Sequence, residues 1–433
     1  MVRRLSTITA DFEDSFLDLL GAKRESDPDV NDVVAAILED VKARGDAALV
    51  AYTKKFDRFE LAQENLAFTT EEIDASLASC DGDTLAALEM AAQRIGDFHK
   101  RQMPEGLDYV DHAGVRLGYR WNAVAAAGLY VPGGTAAYPS SVLMNALPAK
   151  IAGVERIVMV VPTPDEKINP LVLAAAQLAG VTEIYRIGGA QAIGALAYGT
   201  ATIKPVDKIV GPGNAYVAAA KRQVFGTVGI DMIAGPSEIL VVADGENDPS
   251  WIAADLLSQA EHDTASQSIL VTTDGEFADR VCAAVDSHLK TLGRSTTAAA
   301  SWQDFGAVII VENLDQASAI VDRVAPEHLE VALDDADGFS RTVRNAGSMF
   351  LGRYVPEALG DYMAGPNHVL PTSRSARFSS GLGVLDFLKR SSFIQCDGQA
   401  LATIGPAAAT LARAEGLDAH ALSIDIRLNK QVG

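Results

Sequence analysis

The sequence has 433 residues, of which 48% are hydrophobic and 21% charged, a composition typical of a globular protein with a large core. Its formal net charge of -21 argues against nucleic acids and anionic membranes as partners, because few basic side chains remain to neutralise phosphates. We find no secretory signal, no apolar run of membrane-spanning length and only three scattered cysteines, Cys80, Cys282 and Cys396, so we expect free thiols and a cytoplasmic location.

The first hundred residues predict helices. Apolar positions recur at helical spacing in Asn31–Phe56 and again in Thr84–Gln102, and Asn31 is a suitable N-cap. No group in this part of the chain points to a particular chemistry.

From Ala123 onward, short β-branched segments alternate with alanine-rich ones. The first block predicts strands at Arg156–Pro164, Glu183–Gly189 and Lys208–Asn214, and helices at Leu171–Gly180, Ala190–Gly199 and Ala215–Gly226. The second block predicts strands at Glu238–Gly245, Gln267–Gly275 and Phe305–Asn313, and helices at Trp251–His262, Phe277–Leu292 and Asp315–Val331. Such alternation is typical of βαβ units, whose parallel sheet is covered on both faces.

We therefore predict an α/β protein with two Rossmann-like parallel-sheet domains that meet near Ile233–Glu238. Residues 1–30 form an N-terminal helical segment, 31–128 plus 237–382 the first α/β domain, and 129–236 the second. Residues 383–433 form a small, mainly helical C-terminal tail with a short strand near Leu422–Leu428. This tail is too small to be stable alone and is expected to dock elsewhere.

Two polar residues end the helix predicted after Trp251. Gln259 and His262 are three positions apart, so on a helix they share one face, and a histidine at this spacing from a second donor is a common metal-ligand arrangement. Taken alone, the pair is better explained by a histidine that merely interacts with the last carbonyls of the helix, and glutamine is an infrequent metal ligand.

Further polar groups occur in three later stretches. Glu327 and His328 are adjacent, so they point in different directions and could deprotonate water and an alcohol, although Pro and Glu also mark a helix start. Asp361 and His368 lie in a stretch rich in Gly and Pro, Glu357–Thr372, which predicts a loop. Glu415 and His420 lie in the tail, where a surface helix end is the simpler explanation.

Glycine-rich turns join predicted strands to predicted helices at three places. They are Tyr130–Ser141, Ile187–Gly194 and Gly211–Asn214. Turns of this kind let the backbone approach a phosphate at a helix N-terminus, but glycine is also expected there without any ligand. None of them is G-x-G-x-x-G, so a conventional dinucleotide fingerprint is absent.

Together these motifs resemble the histidinol dehydrogenase family along nearly the whole chain. The matching stretches are Gly128–Val154, Gly188–Thr200, Lys208–Gly226, Ile230–Glu238, Asp255–Asp263, Ala325–Val331, Asn345–Tyr362, Asn367–Thr372, Phe378–Arg390 and Glu415–Ala421. The resemblance implies NAD-dependent, four-electron oxidation of L-histidinol to L-histidine through the aldehyde L-histidinal. It also implies an intertwined homodimer in which the C-terminal segment crosses to the other subunit.

The resemblance also implies a role for each candidate residue. One zinc ion per subunit would be bound by Gln259, His262, Asp361 and His420, and would hold the imidazole and amino nitrogens of the substrate. His328 would remove the alcohol proton, and Glu327 would activate the water that attacks the aldehyde. Further substrate contacts would come from Ser237, His368 and Glu415, and NAD contacts from Tyr130, Gln191 and Asn214. By this resemblance the metal and catalytic residues belong to the first α/β domain and the NAD contacts to the second.

Other functions are compatible with parts of the pattern. A related zinc and NAD dehydrogenase could act on another small alcohol, such as a sulfopropanediol, without imidazole recognition. A zinc hydrolase could combine the same ligand types with a water-activating glutamate, but it would not need three glycine-rich turns. If the protein had a purely binding role, Glu327 and His328 could be replaced without loss of function.

Overall fold

The computed structural model describes residues 2–22, 29–133, 138–233 and 235–428. The strands are β1 (Arg3–Ser6), β2 (Leu107–Val110), β3 (Arg116–Ala123), β4 (Ala126–Tyr130), β5 (Arg156–Val160), β6 (Glu183–Tyr185), β7 (Lys208–Val210), β8 (Gly229–Ile230), β9 (Glu238–Ala243), β10 (Gln267–Thr272), β11 (Ala307–Ile310), β12 (His328–Ala332), β13 (Ser348–Leu351) and β14 (Leu388–Gln395). Parts of the turns at Tyr130–Ser141 and Ile233–Glu238 lie outside the described residues.

The helices cover most of the remaining chain. They are α1 (Phe12–Gly21), α2 (Asp29–Arg44), α3 (Asp46–Asp57), α4 (Thr70–Ser79), α5 (Gly82–Lys100), α6 (Pro139–Ala152), α7 (Pro170–Ala179), α8 (Gly189–Tyr198), α9 (Ala215–Val224), α10 (Pro249–Ala260), α11 (Gly275–His288), α12 (Ser295–Asp304), α13 (Leu314–Val324), α14 (Ala336–Ser340), α15 (Glu357–Tyr362), α16 (Gly398–Ala414) and α17 (Asp418–Leu428). Among the described helices, none combines the length and apolar character needed to span a lipid bilayer.

The chain divides into two compact units, residues 1–101 with 125–387 and residues 102–124 with 388–433. The first unit contains two parallel sheets, of five strands in the order β6-β5-β4-β7-β8 and of six in the order β1-β11-β10-β9-β12-β13. If β1 is set aside and the five remaining strands of each sheet are numbered along the chain, both sheets have the strand order 3-2-1-4-5. This is the strand order of a Rossmann sheet. The predicted α/β class with parallel sheets is confirmed.

Both sheets are built from continuous apolar runs. Every residue of β9, EILVVA, and of β10, QSILVT, is buried, as expected for strands covered by helices on both faces. The helices that follow begin with side-chain caps, such as Asp248 before α10 and Asp274 before α11. These caps satisfy backbone N–H groups that would otherwise lack partners at each helix start.

The first helices pack on the five-stranded sheet. Val34 and Leu38 of α2 share a buried apolar cluster with Val158 of β5 and Ile193 of α8. By packing, α2 therefore belongs with residues 126–230, although the predicted domains group residues 31–128 with 237–382. The domain boundaries themselves stay predictions.

The structure corrects three local predictions. The N-terminal segment is not wholly helical, because β1 pairs in parallel with β11 at the edge of the six-stranded sheet. The helix predicted to run to Val331 ends at Val324, since Ala325 adopts a left-handed conformation (φ 49°) before Pro326. Leu422–Leu428 is helical rather than a strand.

The second unit contains the antiparallel sheet β14-β3-β2 and the hairpin of α16 and α17. Residues 102–124 thus join the C-terminal tail in one folding unit. The helical state of α17 follows from its packing on α16: Ile424 Cγ2 lies 3.1 Å from the position that a Cβ would take at Gly405. Leu428 Cδ1 lies 3.5 Å from the same position, so residues four apart on α17 face α16. This helical packing outweighs the strand-like alternation of apolar and polar residues in LSIDIRL.

Candidate active site

A cavity of about 650 Å³ opens in the first unit between the two sheets. It is bounded by Tyr130 and Gly211, at the carboxyl ends of β4 and β7, and by Ser237 and His328, at the amino ends of β9 and β12. The predicted site residues that line it are Tyr130, Asn214, Ser237, Gln259, His262, Glu327, His328, Asp361 and His368. Strands of two different sheets therefore bring residues almost two hundred positions apart, Tyr130 and His328, into one cleft.

The wall formed by the five-stranded sheet has the geometry of a nucleotide site. The cleft lies beside β4 and β7, where the strand order reverses, which is the usual ligand position in open parallel sheets. The Tyr130 hydroxyl accepts a hydrogen bond from the Gly189 N–H at 3.0 Å, and burial raises its pKa to about 12. Asn214 caps α9 by accepting the N–H groups of Tyr216 and Val217.

Gln191 does not line the cavity. It lies on α8 and is buried, and its Oε1 has no hydrogen-bond partner among the described residues. That atom lies 2.8 Å from the position a Cβ would take at Gly189, so it faces the same glycine turn that the Tyr130 hydroxyl binds.

Glu327 and His328 lie at the amino end of β12, beside the start of β9. The Glu327 carboxylate accepts the Glu238 N–H at 2.9 Å, and His328 Nδ1 lies 3.0 Å from the Glu238 carbonyl oxygen. Burial raises the pKa of Glu327 well above its ordinary value, with neighbouring carboxylates adding to the effect. Burial lowers the pKa of His328 to about 4.

These contacts fix the chemistry of the imidazole. Because Nδ1 of His328 faces a carbonyl oxygen, Nδ1 carries the proton and Nε2 is the basic nitrogen. Nε2 has no hydrogen-bond partner among the described residues. His328 is therefore a neutral base, and the Glu327 carboxylate, because its pKa is raised, is a stronger base than an ordinary glutamate.

Gln259 and His262 lie at the end of α10. The Gln259 side chain is 1% exposed, and neither its Oε1 nor its Nε2 has a partner among the described residues. A buried amide without partners is costly, so this side chain calls for a ligand. His262 is exposed and lines the same cavity.

Asp361 and His368 form a second polar cluster opposite α10. Asp361 lies on α15, so this part of the predicted loop is helical, and its Oδ1 is 3.5 Å from His368 Nδ1. Burial pushes the Asp361 pKa upward, but the hydrogen bond and charge of His368 outweigh it and leave the pKa below its ordinary value. His368 Nε2 lies 3.1 Å from the Ser141 hydroxyl.

Glu357 is a functional candidate that sequence reasoning missed. It is 1% exposed, and its Oε1 lies 3.6 Å from His328 Nε2. Burial, with the charge of Asp361, raises its pKa to about 8. Ligand atoms of His328, Glu357 and Asp361 lie within 4.8 Å of one another and could hold a cation. The one sequence signal for Glu357 is its position in the stretch rich in Gly and Pro, Glu357–Thr372.

A buried carboxyl pair lies beneath this cluster. Glu330 is on the same face of β12 as His328, is 3% exposed, and pairs with the carboxyl group of Asp255 on α10. Burial raises the pKa of both groups, most strongly that of Glu330. Two carboxyl groups in such contact share a proton, because both cannot ionise without repulsion.

We expect Glu330→Gln to stabilise the protein at pH 8 by about 1 kcal/mol. A carboxyl whose pKa is raised on folding costs stability as the pH rises from its unfolded pKa to its folded pKa, and glutamine stays neutral. The gain should therefore be seen in melting temperatures at pH 8 and vanish near pH 4. Glu246→Gln, an exposed control in the same unit, should show no such pH dependence, and equal effects of both variants would contradict the argument.

Glu415 and His420 belong to the second unit. Glu415 follows the last residue of α16, His420 lies in the first turn of α17, and both side chains are exposed. The described lining of the cavity comes from the first unit alone.

A cleft at the carboxyl edge of a Rossmann-ordered sheet, facing a buried base and a buried carboxyl group, suits an α/β oxidoreductase. The sequence profile of the histidinol dehydrogenase family matches residues 21–428. The chain belongs to this family, whose members catalyse the final step of histidine biosynthesis, the oxidation of L-histidinol to L-histidine. The resemblance in the sequence is thus confirmed.

Individual relatives agree over their full lengths. The chain is 66% identical to histidinol dehydrogenase of Rhodospirillum rubrum over 431 residues, covering 99% of each chain. It is 61% identical to the Ruegeria pomeroyi enzyme over 433 residues, covering 100% of each. The crystal structure of histidinol dehydrogenase from Elizabethkingia anophelis superposes with a TM-score of 0.95 at 36% identity, covering 100% of this chain and 99% of that one.

Proposed function

We propose that this oxidoreductase carries out both oxidations in the one cavity, reducing two NAD in succession and passing through L-histidinal. The observation that carries the proposal is the adjacent pair Glu327 and His328. Burial displaces their pKa values in opposite directions, and such divergence marks groups with separate proton-transfer roles.

His328 takes the proton of the substrate alcohol. Its Nε2 is unprotonated and lacks a partner among the described residues, so it can accept a proton at neutral pH. The Glu238 carbonyl oxygen holds Nδ1–H and stabilises the imidazolium that forms. When bound, NAD would accept the hydride that the substrate carbon loses in each oxidation.

Glu327 activates the water that attacks the aldehyde carbon. Addition of water gives the hydrate, in which the carbon carries two oxygens and one hydrogen. Loss of that hydrogen as hydride, with one hydroxyl proton, leaves the carboxylic acid, whereas loss of hydride from the aldehyde itself would leave an acylium ion. A carboxylate of raised pKa is a stronger base than an ordinary glutamate. The Glu238 N–H orients it toward the cavity.

Tyr130, Gln191 and Asn214 form the cofactor side. Their support is the glycine-rich turns at the strand ends, where backbone N–H groups can approach the diphosphate of NAD. Gln191 Oε1 has no hydrogen-bond partner among the described residues and could accept a hydrogen bond from a hydroxyl group of the cofactor. Tyr130 and Asn214 line the same cavity as His328.

Gln259, His262 and Asp361 suit a zinc ion, together with His420 of the C-terminal segment. The unpartnered Gln259 amide supports this set over the His328, Glu357 and Asp361 group, because coordination would satisfy a buried oxygen that has no other partner. When bound, zinc would hold the imidazole and amino nitrogens of histidinol. Ser237 and His368 would contact the substrate within the cavity, and Glu415 would pair with the ammonium group.

His420 and Glu415 belong to the second unit, which has a large share of exposed apolar side chains. Leu107, Val110, Ile394, Leu411 and Leu422 are all exposed, and apolar surface of this kind is typical of a subunit interface. We therefore include an intertwined, cytoplasmic homodimer in the proposal, with the C-terminal segment of each subunit completing the site of the other.

The decisive experiment is the yield of NADH per L-histidinol, before and after chelation and zinc restoration. We expect about two NADH per substrate, lost on chelation and restored by zinc. Folded, zinc-loaded protein that makes no NADH from histidinol would refute the proposal. Turnover of a sulfopropanediol instead would assign another alcohol as substrate, and hydrolysis without NADH would assign a hydrolase.

A further inference from the structure

The turn Gly211–Asn214, on the cofactor side of the cavity, is held by a buried ion pair. Lys221 of α9 and Asp231, which follows β8, form a salt bridge with side chains 2% and 1% exposed, and both line the cavity. Neither residue has a role in the chemistry proposed above.

The pair binds the backbone of Gly211 on both sides. Lys221 Nζ donates to the Gly211 carbonyl oxygen at 2.9 Å, and the Asp231 carboxylate accepts the Gly211 N–H at 2.8 Å. Only glycine fits at this position, since its φ is +110° and a Cβ there would lie 2.2 Å from the Tyr130 carbonyl oxygen. The turn is thus pressed against the end of β4.

The Asp231 carboxylate also binds the segment that follows it, which lines the cavity at Met232. The second oxygen of Asp231 accepts the Met232 N–H at 2.6 Å, and the chain then leads to Ser237 and β9. One buried pair therefore links the turn after β7 to the segment that connects the two sheets. Its net charge is zero, so it adds no unbalanced charge beneath a dinucleotide.

Stability alone does not explain a buried ion pair, because apolar side chains of similar volume often serve as well. Orientation of backbone groups does explain it, since hydrogen bonds from charged groups are stronger than neutral ones and here hold the peptide groups before and after Gly211. We propose that Lys221 and Asp231 are positioning residues that set the affinity for NAD by preforming the Gly211–Asn214 turn. The proposal rests on the proposed function, which makes NAD the occupant of this wall.

The test is the double variant Lys221→Met/Asp231→Leu, which removes both charges together and so avoids leaving one charge buried alone. We expect the dissociation constant for NAD, measured by calorimetry on metal-free protein, to rise roughly tenfold or more. The KM for NAD should rise in parallel, whereas the KM for histidinol and kcat at saturating NAD should stay within twofold of wild type.

A matched control is Arg156→Met/Glu183→Leu. This pair also grips loop carbonyl oxygens, those of Lys204 and Pro205, but lies at the amino end of β5, away from the cavity. It should leave NAD binding unchanged. A folded Lys221/Asp231 double variant with wild-type NAD affinity would overturn the inference, as would equal losses in NAD binding, histidinol KM and kcat.

The two proposals fail in different ways. Wild-type protein that binds NAD but makes no NADH from histidinol would refute the proposed chemistry, while the effect of the pair on NAD binding would still be measured. Wild-type protein that does not bind NAD would overturn both.

Discussion

Glu327→Gln should reduce the yield from about two NADH per histidinol to about one in a single turnover. Glutamine keeps an oxygen that can accept the Glu238 N–H, a bond of 2.9 Å in the structure, so the fold should be preserved. It cannot accept a proton from water, and loss of a general base costs about 10²- to 10⁴-fold in rate. The first oxidation should continue, whereas oxidation of added L-histidinal should nearly stop.

Glu330→Gln is the matched control, because it makes the same change to a buried glutamate three residues further along the chain, on β12. It should still give two NADH per histidinol. A Glu327→Gln enzyme that also gave two would mean that water is activated by another group, for which Glu357 is the first candidate.

His328→Asn should lower kcat for histidinol by about 10²- to 10⁴-fold. The asparagine amide can replace Nδ1–H as donor to the Glu238 carbonyl oxygen, so the variant removes the basic nitrogen without leaving that carbonyl unpaired. Steady-state rates with NAD, together with an unchanged melting temperature, would separate loss of the base from misfolding. A variant that retained near wild-type kcat would exclude His328 as the base.

The same variant tests whether subunits share a site. His328→Asn and His420→Asn should each be inactive, but co-expressed they should form mixed dimers with one intact site, recovering about a quarter of wild-type activity. If His328 and His420 act from the same subunit, each site in the mixed dimer lacks one of them and activity stays absent. An active His420→Asn enzyme would remove His420 from the zinc ligands.

Sequence reasoning predicted the parts of the molecule that depend on local patterns. Buried strands such as β9 and β10 are short apolar runs, and the helices that follow them carry their own caps. Three-residue spacing placed Gln259 and His262 near one helix end, and both line the cavity. Such features need only neighbouring residues, so they can be recognised in a single sequence.

Long-range features could not be predicted in this way. β1 pairs with β11, some three hundred residues away, and no local signal marks a four-residue strand at the N-terminus. The sequence predicts a mainly helical segment from Asp315 to Val331, which includes Glu327 and His328. The left-handed residue Ala325 ends the helix before them, and His328 begins β12. Glu357 is next to His328 only because α15 packs over the start of β12.

The two sheets share one strand order but contribute opposite edges to the cavity. The five-stranded sheet contributes the carboxyl ends of its strands. At the equivalent edge of the six-stranded sheet, Asn247 donates to the Ala332 carbonyl oxygen at 2.8 Å and Arg353 binds Asp244, so the molecule's own side chains fill the crevice. The six-stranded sheet instead contributes the amino ends of β9 and β12, so the cavity lies where the carboxyl edge of one sheet faces the amino edge of the other.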